Sequence, residues 1–208
     1  MYNMRFVTQR ITLVFSLILL LAGCSSVSKA PDYQVDWSSH ESRLNQIDNY
    51  SLSGKMGYIS PQKRESMNFQ WRKRGENTDL RLTNFLGQTL LHLTITKDGS
   101  TIKTYDDKVF HDKDAQALVA RLTGLRLPIL PLQKWVLGLP NDSDDHILNQ
   151  HNTLGSLITT VDNKRWLVNY TDYEPFPYQE STIPLPKRLS LTQGQVKLRI
   201  VIAKWTVK

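Results

Sequence analysis

From Tyr50 onward the chain alternates between apolar and polar residues. Leu52, Gly54, Met56 and Tyr58 alternate with Ser53, Lys55 and Gly57. After a turn at Ser60-Pro61-Gln62-Lys63, the set Met67, Phe69 and Trp71 alternates with Asn68, Gln70 and Arg72. Leu80 and Leu82 follow the turn Arg74-Gly75-Glu76-Asn77, and Leu91, Leu93 and Ile95 follow Phe85-Leu86-Gly87-Gln88. Asp98-Gly99 is a hairpin signal that returns the chain through residues 101–105, and Asp106-Asp107 turns it again before Val109 and Phe110. A period of two with one apolar face describes a meander of antiparallel strands.

The period becomes helical in short stretches. Ser38 or Ser39 can cap a helix over residues 40–48, with Leu44, Ile47 and Trp37 on one side. Asp112 or Asp114 can cap a second, which carries Ala115, Leu118, Val119, Leu122 and Leu125 and stops near Gly124 and Pro128. Residues 131–137 make a third, bounded by Pro131 and Gly138. Residues 141–145 read as an acidic loop. Strands resume at 154–161, turn at Asp162-Asn163 and continue through Trp166, Val168 and Tyr170. Residues 173–186, with prolines at 175, 177 and 184, have little periodicity and read as a loop. Residues 187–192 and 195–206 pair across Gln193-Gly194. The expected fold is mainly β: about ten antiparallel strands curled into an incomplete barrel. The helices are too few to cover both faces, but they are enough to plug the concave side over an apolar space.

The N-terminus supplies an address. Arg5 and Arg10 precede an apolar run over residues 11–22, the layout of a secretory signal peptide. The run is short for a transmembrane helix, which needs about 20 apolar residues. Leu21-Ala22-Gly23-Cys24 resembles the bacterial lipobox, in which cleavage falls before the cysteine and its thiol and new amine are acylated. On this reading 1–23 is the signal, 24–37 a lipidated tether and 38–208 a single domain. Cys24 is the only cysteine, so the domain has no disulfide to make and its stability rests on its core. Ser25, where inner-membrane retention calls for aspartate, implies by the same resemblance the outer membrane, with the domain on its periplasmic side. The formal charge is +7, and the chain stays basic after Arg5 and Arg10 leave. Nucleic acid is not an available partner there. A basic surface suits anionic headgroups or an acidic protein, or serves solubility alone.

Two features bear on function. The first is the apolar face formed by Met56, Tyr58, Met67, Phe69, Trp71, Leu80, Leu82, Leu91, Leu93 and Ile95. It reads as a packed core or, because it mixes flexible Met with large aromatics, as the lining of an acyl-chain cavity. The second is Asn84-Phe85-Leu86-Gly87, where two large apolar residues stand at a position normally polar. They either fold back into the core or project and touch a lipid surface or a partner's groove. The motifs of an enzyme are missing: there is no nucleophile elbow, no metal-spaced His or Cys set and no glycine-rich phosphate loop. Asp142, Asp144 and Asp145 lack the glycine and terminal glutamate of a calcium loop.

With the lipobox and Ser25, three segments complete a resemblance that covers essentially the whole mature chain. They are Thr83-Asn84-Phe85-Leu86-Gly87-Gln88, Trp135-Val136-Leu137-Gly138-Leu139-Pro140 and Leu185-Pro186-Lys187-Arg188-Leu189. Together these are similar to the outer-membrane lipoprotein receptor LolB family. The resemblance implies an incomplete eleven-stranded barrel covered by helices, acting as a monomer without cofactor, metal or nucleotide. It implies that acylated lipoproteins pass from the periplasmic carrier LolA into an apolar cavity and then into the outer membrane. It places on Leu86 the exposed leucine needed for release, with Phe85 standing where proline is common. The rival expectation is a structural or assembly-partner lipoprotein with a filled core.

Overall fold

The alternating segments form strands, and their ladders join into one sheet. The computed structural model describes residues 33–208. β1 (Asn49–Ile59), β2 (Arg64–Arg74), β3 (Asn77–Thr83), β4 (Thr89–Thr96), β5 (Gly99–Lys103) and β6 (Val109–Asp112) make one antiparallel meander. β7 (Asp145–Leu148), β8 (Leu154–Val161), β9 (Lys164–Tyr178), β10 (Ser181–Gln193) and β11 (Val196–Val207) make another. β1 pairs with β11 and joins them into an eleven-stranded sheet that runs from β6 through β1 and β11 to β7. β6 and β7 stay unpaired with each other, so the barrel is incomplete, as its composition of strands led one to expect.

The seam between the meanders depends on a glycine. The β1–β11 register shifts between Ser53 and Gly54. A Cβ on Gly54 would lie 2.0 Å from the Val201 carbonyl oxygen. Only a residue without a side chain lets the two backbones approach this closely at the bulge.

Three helices complete the domain: α1 (Trp37–Asn45), α2 (Ala115–Thr123) and α3 (Ile129–Trp135). α2 starts at Asp114, whose carboxylate accepts the Gln116 and Ala117 N–H groups, and ends at Gly124 in the left-handed conformation. It packs on β4, β5, β6 and α3. Leu118, Val119, Ile129, Leu132 and Trp135 from these helices share one buried cluster with the apolar face of the strands.

Several boundaries differ from the sequence reading. α1 begins three residues earlier than expected, because Asp36 rather than Ser38 or Ser39 caps it, accepting the Ser39 N–H at 2.9 Å. Ahead of it, the Val35 N–H donates to the His151 carbonyl at 3.1 Å, and Tyr33 packs beside the His151 ring. α3 starts two residues before Pro131, with Pro128 at its N-cap. Residues 101–105 do not all return as strand: β5 ends at Lys103 and Tyr105 lies in the following loop. β7 extends the acidic segment into an edge strand.

The largest correction concerns residues 173–186, which are not a loop. They form the long ends of β9 and β10, with Pro175 opposite Pro184 and Pro177 opposite Thr182. β9 pairs with β8 only through Asn169, and β10 pairs with β11 only from Arg188 onward. Beyond those points each strand has a free outer side. A residue that cannot donate an N–H is tolerated where only one side of the strand needs a partner.

The hairpins sort to two edges of the sheet. The β1–β2, β3–β4, β5–β6, β8–β9 and β10–β11 turns share one edge, hereafter the rim. The β2–β3, β7–β8 and β9–β10 turns lie at the other, where α1 docks through Arg43 bonds to Ser181 Oγ and the Thr182 carbonyl.

α1 also buries His40. Burial, with Arg43 close by, pushes its imidazole down to about 4. The unfolded chain therefore takes up a proton below the ordinary histidine value that the folded chain refuses. Stability is full above about pH 6.5 and falls as the pH drops toward 4. Urea unfolding should show this acid loss, with His40→Leu removing about 2–3 kcal/mol of it between pH 7 and 4.5. An identical loss in the variant would exclude His40 as its source.

Candidate functional site

The β3–β4 loop is built around Asn84. Its backbone N–H donates to the Gln88 carbonyl at 3.0 Å, and its carbonyl accepts the Gly87 N–H at 3.1 Å. Its side-chain Oδ1 accepts the Leu86 and Gln88 N–H groups, both at 3.0 Å. Its Nδ2 donates to Gln88 Oε1 at 2.8 Å. Asn68 on β2 donates to the Asn84 carbonyl at 3.3 Å from the side. Gly87 takes φ +82° with open space around its Cβ position, the left-handed residue that closes a three-residue hairpin loop.

With the backbone groups so occupied, the two apolar side chains point away from the sheet. Phe85 is 85% exposed and Leu86 69%. Of the two readings of this tip, the structure selects projection. The Asn84 side chain turns back on its own loop and ties the backbone on the far side of Phe85.

The inner face is the second component. Met56, Tyr58, Met67, Phe69, Trp71, Leu80, Leu82, Leu91 and Leu93 are buried, and Ile95 packs against them half-buried. The strand registers place Met56 beside Met67, Trp71 beside Leu80, Phe69 beside Leu82, and Leu80 and Leu82 beside Leu93 and Leu91. All ten therefore line one continuous patch.

The helical cover meets the sheet through apolar side chains and a few directed bonds. The Tyr50 hydroxyl on β1 donates to the Gln133 carbonyl at 2.8 Å, and the Tyr170 hydroxyl on β9 donates to the Trp135 carbonyl at 2.9 Å. Both acceptors lie in the last turn of α3, where helix carbonyls lack intrahelical partners. Lys63 Nζ donates to the Thr123 carbonyl at the end of α2 at 3.0 Å. Burial raises the Tyr50 and Tyr170 hydroxyls well above the ordinary tyrosine value, so they remain protonated donors.

At the rim, an open groove of about 340 Å³ separates α2 from the β8–β9 and β10–β11 turns. Leu127 and Trp166, both members of the core, reach its floor, while Asp114, Arg126, Asp162 and Lys164 stand around it. Gln116 Nε2 bonds Asp162 Oδ2 across it at 2.7 Å.

A family model described as outer membrane lipoprotein LolB matches residues 48–205. Full-length relatives agree. The chain is 45% identical to an outer-membrane lipoprotein LolB of Vibrio vulnificus over 92% of this chain and 95% of that one. It is 34% identical to one from Pectobacterium atrosepticum over 91% and 92%. The chain belongs to the outer membrane lipoprotein LolB family. A DUF1329 family protein from Desulfovibrio piger shares the fold, with a TM-score of 0.52 at 5% identity, over 83% of this chain and 91% of that one.

As a member of the LolB family the protein is an outer-membrane lipoprotein and not an enzyme. No helix among the described residues is long and apolar enough to cross a membrane. The LolB match contains the Leu86 loop and the whole inner face. Cys24 lies outside both the match and the described residues.

Some functional contributors escaped sequence reasoning. Asn84 was legible as a turn residue, but its hold on Leu86 and Gln88 was not. Tyr50 and Tyr170 fit the strand period, which is silent on where their hydroxyls go. His92 bonds Asp79 at 2.7 Å across β3 and β4, a pairing that the strand period does not reveal.

If Asn84 holds the tip rigid, Asn84→Ala should loosen it without unfolding the domain. Global stability should fall by only about 1–2 kcal/mol. Amide exchange at Leu86 and Gln88 should accelerate at least tenfold while β1 and β2 stay protected. Unchanged exchange at these two amides would show that the loop is braced by something else.

Proposed function

We propose that the protein is the outer-membrane receptor for lipoproteins, taking acylated cargo from the soluble periplasmic carrier LolA and releasing it into the membrane to which Cys24 anchors it. The observation that carries this reading is the exposed Phe85–Leu86 tip on a braced, uncharged hairpin, in a protein of the outer membrane. A soluble domain gains nothing from holding two large apolar side chains rigidly in water. Transferring one leucine side chain into lipid is worth about 1.5–3 kcal/mol.

The inner face supplies the place for acyl chains. Met56, Met67, Phe69, Trp71 and the leucines of β3 and β4 share one buried cluster with the apolar residues of α2 and α3, a contact that is mainly non-directional burial. Such contacts can be exchanged for contacts with an acyl chain at little net cost, because both are apolar. The directed bonds that resist lifting of the cover are few: Tyr50 to Gln133, Tyr170 to Trp135, Lys63 to Thr123, Gln116 to Asp162 and the Arg121–Asp112 ion pair. The groove at the rim reaches two members of this interior, Leu127 and Trp166. The thioether on Cys24, the tether that follows it and the role of Leu86 as the releasing side chain belong to the same proposal.

Two experiments test it. The purified protein should take an acylated lipoprotein from loaded LolA. Failure to do so, beside a competent family member, overturns the receptor reading and leaves a structural lipoprotein with a filled core. In a second assay, Leu86→Glu should keep uptake from LolA while delivery to liposomes falls at least tenfold, since a buried carboxylate costs several kcal/mol where leucine gains. Unimpaired delivery would remove the tip from the mechanism.

A further inference from the structure

The β5–β6 loop repeats the design of the β3–β4 loop. Thr104 occupies the place of Asn84: its N–H donates to the Lys108 carbonyl at 3.0 Å, and its carbonyl accepts the Asp107 N–H at 3.1 Å. Its hydroxyl bonds Asp106 Oδ1 at 2.6 Å, bracing the loop from inside. Asp107 takes the left-handed conformation, φ +60°, where the first loop has Gly87. The residue in the position of Phe85 is Tyr105, and it is 82% exposed. Val109, at the base of the same hairpin, is also exposed.

Both loops belong to the rim. Thr83 pairs with Thr89 at the base of the first, and Lys103 pairs with His92 just below the second. The second hairpin thus sits three residues lower along β4, about 10 Å, and two strands away, also about 10 Å. A step of that slope matches the tilt of about 35–45° at which strands cross a barrel axis. Relative to the barrel rather than to the strands, the two tips stand at one level.

We infer that the Tyr105 hairpin is a second contact with the lipid surface, paired with the Phe85–Leu86 tip. This rests on the reading that the first tip touches the bilayer. Tyrosine suits the headgroup level, with an apolar ring and a hydroxyl that stays wet. The carboxylates beside it are not bare: Asp107 meets Lys103 and Asp106 meets Lys108, each at 2.8 Å, so the hairpin carries no net charge toward a membrane. Residues 83–91 have no ionisable side chain at all. Two neutral contacts about 14 Å apart, from the step and the spacing together, define a line on the bilayer and so fix the tilt of the rim. A single leucine would leave the domain free to roll.

The test uses the full lipidated chain in phosphatidylethanolamine–phosphatidylglycerol liposomes containing spin-labelled lipid. With Cys24 acylated, a polarity-sensitive fluorophore goes on one new cysteine at a time: Leu86→Cys, Tyr105→Cys, and Glu76→Cys in the β2–β3 turn at the opposite edge. Labels at 86 and 105 should be quenched and blue-shifted, and the label at 76 should not. Quenching at 86 without 105 overturns the second contact and leaves the first standing. Quenching at neither overturns the reading of the Leu86 tip itself. In the delivery assay, Tyr105→Asp should slow release about fivefold with uptake from LolA unchanged, while Tyr105→Trp keeps the rate. Equal rates for the two variants would also overturn the inference, as would protection of the label at 105 by LolA but not by lipid.

Discussion

β1 and β11 are the first and last strands in sequence, and their ladder makes one sheet out of two meanders. Each meander is locally closed by its own hairpins. Without the seam, each would expose an edge strand and half of the apolar face. The pairing aligns Met56 with Ile200 and Tyr58 with Leu198, so the inner faces of the two halves become one surface. Gly54 permits it by removing the Cβ that would meet the Val201 carbonyl. The rim, the helical cover and the gap between β6 and β7 follow from that alignment.

The scaffold divides stiff from exchangeable parts by the kind of interaction used in each. Ladders of backbone hydrogen bonds hold the strands, and side-chain acceptors hold the rim loops. These bonds are directional and tolerate little displacement. The interior between sheet and helices is held chiefly by burial, which depends on area and not on which apolar group supplies it. For a protein proposed to hand acyl chains from one apolar environment to another, the division is apt. The groups that must present a fixed geometry to the bilayer are braced, and the groups that must accept a guest are not.

Much of the fold was legible in local pattern. The alternation in residues 52–95 named the strands and the face of every inward residue, and Asp114 and Gly124 marked the ends of α2. The misreadings share a cause. Residues 173–186 looked irregular because prolines are scored against a strand paired on both sides, whereas β9 and β10 are each free on one side there. Trp37 and Asp36 were assigned to a tether because nothing nearby in sequence shows that His151 and Ser181 wait to receive the segment that includes them. Whether Phe85 and Leu86 fold inward was open for a similar reason. Apolar residues in a turn satisfy either outcome until the hydrogen bonds of Asn84 are known.

By itself the sequence determined most of the strands, which side of each is apolar, and that a short apolar leader ends in Leu21-Ala22-Gly23-Cys24. These are properties of period two and of a short apolar leader, and both are set by near neighbours. Only the tertiary structure decided that the Leu86 tip projects, that α3 ends on two tyrosine hydroxyls of the sheet, and that Tyr105 shares a rim with Phe85. Those facts depend on register between strands. The alternation of side chains fixes which face a residue takes, but the stagger of one hairpin against the next is set by hydrogen bonds between distant segments.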